Sequence, residues 1–167
     1  MEVGALDANA ARQAIEMPAR AEGVEYAADA IERIVRATEG YPYFLQEWGK
    51  HAWDVAAASP IDATDVEAAS RLAMATLDDG FFRVRLERLT PRQRQYLRAM
   101  AELGPGPHRS GDIARELGAR SSSLAPTRSG LIGKGMVWSP GHGDTAFTVP
   151  LFDRFMRRTL PDAVWRS

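Results

Sequence analysis

The sequence predicts a mainly α-helical protein: a small helical bundle followed by a winged helix-turn-helix domain whose wing is a β-hairpin. Three observations carry the prediction. Apolar residues recur at helical spacing through the first 78 residues, with caps and breakers bounding each run. A helix, a short helix, a glycine-containing turn, a third helix and a hairpin then follow between residues 90 and 149. Charge divides the chain at the same place: residues 1–78 carry 6 basic and 14 acidic side chains, net −8, whereas 79–167 carry 15 and 8, net +7. The overall net charge of −1 is the sum of an acidic part, 1–78, and a basic part, 79–167.

In the acidic part, Asp7 caps a short helix through Ala10, Ala14 and Ile15 that Pro18 is expected to end. A second helix begins near Ala27, carries Ala30, Ile31, Ile34 and Val35, and stops at Gly40. Pro42 opens a third, because a proline at the first helical position lacks only an N–H that the helix would leave unpaired. It runs to about Ala58 with Phe44, Leu45, Trp48, Ala52, Val55 and Ala56 on one face, and Ser59-Pro60 closes it. Asp62-Ala63-Thr64-Asp65 resembles a capping box ahead of a fourth helix through Val66, Ala69, Leu72, Ala73 and Leu77.

In the basic part, Phe81–Leu89 is a helical connection packing Phe82, Leu86 and Leu89. Thr90-Pro91 starts a helix with Leu97, Met100, Ala101 and Leu103 inward, and Gly104-Pro105-Gly106-Pro107 forces a loop. Ser110 is expected to cap the short helix Gly111–Leu117, which Gly118 ends. A third helix starts around Ser122 or Ser123 and includes Leu124, Leu131 and Ile132, with Pro126 in its first turn. Met136–Ser139 and Thr145–Val149 read as strands joined by Pro140-Gly141-His142-Gly143-Asp144, and Leu151–Leu160 adds a closing helix.

Composition narrows the function. Without cysteine there is no disulfide framework, thiol nucleophile or cysteine metal site. No apolar run approaches the roughly 18 residues of a membrane span, and the start lacks a secretory pattern, so a soluble, cytoplasmic protein with no membrane partner is expected. His51, His108 and His142 have no metal-ligand spacing, and no serine sits in a G-x-S-x-G elbow. The third helix of the winged domain reads as a recognition helix whose start would face the DNA major groove. Ser121, Ser122, Ser123, Thr127 and Arg128 are its exposed candidates for phosphates and base edges, while Arg120, Lys134 and the wing residue His142 could hold phosphates. Double-stranded DNA stands ahead of a protein partner on the +7 balance. Arg83, Arg85, Arg88, Arg92, Arg94 and Arg98 precede that helix and are equally placed to pair with acidic residues.

Thr38-Glu39-Gly40-Tyr41-Pro42-Tyr43-Phe44-Leu45-Gln46-Glu47-Trp48-Gly49 closely resembles the lid motif of a family of prokaryotic, archaeal-type AAA ATPases. Leu86–Arg92 and Phe147-Thr148-Val149-Pro150-Leu151-Phe152 resemble the same family's C-terminal winged helix, and the likeness extends from Val3-Gly4-Ala5-Leu6 onward. Broader relatives include the origin-recognition and STAND-type ATPases. The resemblance implies a lid over 1–78 and a winged helix over 79–167, with Gly40, Tyr41 and Pro42 near the adenine and ribose of a nucleotide. It also implies that the lid closes on ATP and couples nucleotide state to DNA or partner binding. Two departures qualify it. Tyr43 stands where many AAA relatives have a phosphate-sensing arginine, and the chain holds no G-x-x-x-x-G-K-S/T phosphate loop or apolar strand ending in a magnesium-binding acid. The chain is therefore expected to hydrolyse no ATP by itself, with ATP and Mg2+ bound only alongside a P-loop core. The alternatives are a self-standing DNA-binding regulator and a pure docking module.

Overall fold

The computed structural model describes residues 4–165, which leaves Val3 of the motif outside the described residues. The chain divides into two compact units, 4–80 and 81–165.

The first unit is a helical bundle of α1 (Ala8–Ala21), α2 (Ala28–Thr38), α3 (Pro42–Val55) and α4 (Ala63–Thr76). Asp7 caps α1 through the Ala10 amide at 2.7 Å. Pro18 does not end α1 but lies inside it. So close to the C-terminus it removes a single hydrogen bond, the one to the carbonyl of exposed Ala14. Helix α3 stops at Val55, three residues short of the expected Ala58, where Ala56 turns extended. The Asp62–Asp65 capping box forms with both reciprocal bonds, at 2.9 and 3.0 Å. The core gathers Ile31, Ile34, Phe44, Leu45, Trp48, Val66 and Ala69, and the Trp48 indole donates to Ser70 Oγ at 2.9 Å. Leu72, one of the apolar residues that placed α4, is 48% exposed. A parallel bridge pairs Tyr26 with Ile61, and the Ser59–Pro60 peptide is cis.

A π-helical turn, Leu77–Phe82, contains the division between the units. The second unit comprises α5 (Arg83–Glu87), α6 (Pro91–Leu103), β1 (His108–Arg109), α7 (Ser110–Leu117), α8 (Ser121–Gly133), β2 (Val137–Trp138), β3 (Asp144–Phe147), α9 (Phe152–Thr159) and α10 (Asp162–Trp165). This is the winged-helix arrangement. Helix α6 packs against α7, α8 and α9, and the three strands form one antiparallel sheet in the order β1-β3-β2. Val137 faces Phe147 and Trp138 faces Ala146 across the hairpin, while His108 and Arg109 pair with Thr145 and Asp144. The Phe82 ring packs on Phe152 and Phe155 at 5.8 and 5.1 Å. Of the closing-helix residues expected inside, Leu151, Phe152, Phe155 and Met156 are all buried.

Three details of this unit differ from expectation. Helix α8 begins at Ser121, so Pro126 sits sixth rather than in the first turn. Its missing amide frees only the carbonyl of exposed Ser122, which water can satisfy. Ser110 is the first residue of α7 and not its cap. Ile132, named with Leu124 and Leu131 as an apolar residue of this helix, is unlike them exposed, at 39%.

Candidate functional site

The turn between α2 and α3 is built by two consecutive left-handed residues, Glu39 (φ 53°) and Gly40 (φ 73°). Gly40 is needed there twice over: its φ suits glycine, and a Cβ would stand 2.5 Å from the Leu6 carbonyl oxygen. Buried Thr38 organises the turn. Its hydroxyl donates to the Ile34 carbonyl at 2.8 Å and accepts from the Gly40 amide at 3.3 Å, and the Tyr41 amide donates to the Thr38 carbonyl at 3.0 Å. The Leu6 amide donates to the Gly40 carbonyl at 2.9 Å, laying the N-terminal segment along the turn. Pro42 then opens α3 as expected, and the half-buried Tyr41 ring meets Phe44 edge-on at 4.7 Å. Gly40, Tyr41 and Pro42 thus lie together at the positive end of α3.

Beside this turn a largely apolar cavity of about 630 Å³ runs between α1 and α3, walled by Leu6, Ile15, Pro18, Tyr26, Pro42 and Trp53. Trp53, too far along α3 to share the stripe of Trp48, is 43% exposed. Burial raises the Tyr26 phenol above its ordinary value of 10.0. On the far side of α3, His51 Nε2 lies 3.3 Å from Thr76 Oγ1 and 3.7 Å from Glu47 Oε2. Among the described residues no group of three or more His, Cys, Asp or Glu could hold a metal.

In the second unit, Ser121, Ser122 and Ser123 occupy the exposed first turn of α8, and Ser123 Oγ donates to the Arg120 carbonyl at 2.7 Å. Arg120 itself is exposed just ahead of them, and His142 is exposed at the wing tip between Gly141 and Gly143. Thr127 is half-buried.

Two of the expected contact residues have partners within the unit. Arg128 is not an exposed side chain: it folds onto the wing, its Nε donating to Thr145 Oγ1 at 2.7 Å and its second guanidinium arm to the Asp144 carbonyl at 3.0 Å. The spacing Leu124, Arg128, Leu131 already placed it on the buried face of α8, between two core leucines. Lys134, at the opposite end of α8 from the serines, donates from Nζ to the Arg88 carbonyl and to Gln93 Oε1, both at 2.7 Å. It satisfies the carbonyl that terminates α5.

Among the six arginines ahead of α7, Arg98 is buried, with bonds to Glu102, Asp162 and the Leu160 carbonyl. Arg85 covers the Phe81 ring at 3.5 Å. The sequence reading missed Thr145, fully buried at the centre of the Arg128 contact. It also missed Ser110, whose amide and hydroxyl both donate to the Gly143 carbonyl, at 2.9 and 3.1 Å.

A family model described as a domain of unknown function (DUF8462) matches residues 79–156. No curated protein matches the chain. Among solved structures, a lysine-to-arginine variant of Thermotoga maritima RuvB is similar at 20% identity and a TM-score of 0.42, over 86% of this chain and 47% of that one. A proline-to-glycine variant of the same protein is similar at 20% identity and a TM-score of 0.43, over 86% and 46%. The chain spans less than half the length of the solved structures that it is similar to.

Proposed function

We propose that this chain is the lid and winged-helix portion of an AAA- or STAND-type ATPase, coupling nucleotide state to the binding of duplex DNA. The observation that carries the reading is the Gly40-Tyr41-Pro42 turn. It follows the left-handed Glu39 with a left-handed Gly40, leads into the positive end of a proline-opened helix and lies beside an apolar cavity that Pro42 lines. Those residues suit the base and ribose of a nucleotide. The phosphate loop and the metal-binding acid belong to a core that this sequence does not contain, and residues 1–167 alone hydrolyse no ATP.

On the DNA side, Arg120, Ser121, Ser122, Ser123 and His142 present an exposed face at the start of α8 and the wing tip. Duplex affinity measured by fluorescence anisotropy should fall steeply with salt, and Arg120→Ala should reduce the slope of log K against log salt by about 0.9. Calorimetry should detect no tight magnesium-dependent ATP binding by this chain; finding it would overturn the assignment of phosphate chemistry to a separate core. Extending the reading frame upstream of Met1 should reveal a G-x-x-x-x-G-K-S/T loop in the same polypeptide.

One observation favours a second reading, a winged helix that docks a protein. The two bonds of the half-buried Arg128 turn its guanidinium onto the wing, and the Lys134 ammonium, though exposed, is already engaged by the Arg88 carbonyl and Gln93. Absence of duplex binding even at low salt would put docking first.

A further inference from the structure

We infer that Arg128 is a positioning residue that sets the wing against α8 and makes no contact of its own with nucleic acid. The inference rests on the DNA-binding reading for its functional consequence, though not for its structural content.

The planar guanidinium grips β3 at two adjacent residues, through the Thr145 hydroxyl at 2.7 Å and the Asp144 carbonyl at 3.0 Å. Thr145 is fully buried, as is Tyr96 on α6 at 1% exposed, and both the Thr145 hydroxyl and the Arg128 charge act on the Tyr96 phenol. Arg128 on α8 is thus bonded to the central strand at a position that adjoins buried Tyr96 of α6. Asp144 and Thr145 pair with Arg109 and His108 of β1, and the Gly143 carbonyl just before them receives both bonds from Ser110 of α7. The base of the hairpin is thus held from α7 and α8, and the tip residues Gly141 and His142 project from a fixed root. A fork of two donors fixes direction as well as distance, which a single-point ammonium cannot do. Its position on the face of Leu124 and Leu131 also keeps this charge off the exposed first turn where Ser121–Ser123 lie.

The test compares duplex-DNA affinity across a salt series for the full chain and for Arg128→Lys, Arg128→Ala, Thr145→Val and Arg120→Ala, with amide hydrogen exchange on the same proteins. Arg128→Lys and Thr145→Val should each weaken binding about tenfold while leaving the salt slope unchanged, and the double variant should be no weaker than either alone. Arg120→Ala should lower the slope by about 0.9. The inference is overturned if Arg128→Lys keeps full affinity while Arg128→Ala lowers the slope, because that is the behaviour of a phosphate contact. If the full chain binds no duplex, the DNA-binding reading fails on its own and hydrogen exchange decides the inference. Faster exchange in Arg128→Lys, confined to residues 143–147 and the Ser110 amide with α9 unchanged, upholds it; unchanged or uniformly faster exchange overturns it.

Discussion

Leu6 and Gly40 are joined backbone to backbone, the Leu6 amide donating to the Gly40 carbonyl at 2.9 Å, and the Leu6 oxygen fills the space where a Cβ on residue 40 would go. Gly40→Ala should therefore combine a left-handed alanine with a collision against backbone that cannot swing aside. The expected cost is about 2 kcal/mol in urea unfolding, accompanied by loss of protection at the Leu6 amide.

The two capping boxes offer a graded comparison. Asp62→Ala removes the bond that Asp62 Oδ1 accepts from the Asp65 amide at the start of α4 and should cost about 1 kcal/mol. Thr90→Ala should cost about the same at α6. Gln93→Ala should cost about 2 kcal/mol, because Gln93 is also an acceptor for the Lys134 ammonium. Chemical denaturation of the three variants checks the order.

Arg98 is 3% exposed and makes three bonds, with its guanidinium 4.9 Å from the Trp165 ring. Arg98→Ala should lose about 3 kcal/mol, since it empties a buried site and strands its acceptors. Asp162→Asn should lose less than about 1 kcal/mol, because Asp162 is 66% exposed and its charge is screened. Equal effects in thermal melts would contradict this ranking.

Burial raises the Tyr96 phenol above 10.0, opposed by the Thr145 hydrogen bond and the Arg128 charge. Below pH 10.0 the phenol is protonated both folded and unfolded, so its contribution to stability is fully present. Above that pH the unfolded chain loses its proton first, and stability falls until the folded phenol ionises too. Urea midpoints should drop as the pH rises through 10.0, and Tyr96→Phe should show a smaller drop.

How much of this was legible in the sequence depended on range. Asp7, Asp62, Thr90, Pro42 and Pro91 act on their own first turns, and Gly118 (φ 62°) ends its own helix, so local rules located these boundaries. Pro18 and Pro126 misled because the rule that prolines break helices ignores how cheaply one bond is lost near an end or beside an exposed carbonyl. Strand β1 is two residues long and exists only by pairing with Asp144 and Thr145, so no local pattern announces it. The candidate turn was readable as a contiguous motif, although its contact with Leu6, more than thirty residues earlier, was not. On α8 the residue types suggested an exposed contact surface, but Arg128 answers to Thr145 and Lys134 to Arg88 and Gln93.

The order of the small sheet carries one more consequence. Strand β3 is flanked by β1 and β2, and each outer strand is only two residues long. An incoming strand would find no free ladder on β3 and too short a template on either side, so this sheet is a poor seed for edge-to-edge growth or strand exchange between copies. The sheet is therefore a mount for the hairpin tip and offers no docking edge of its own.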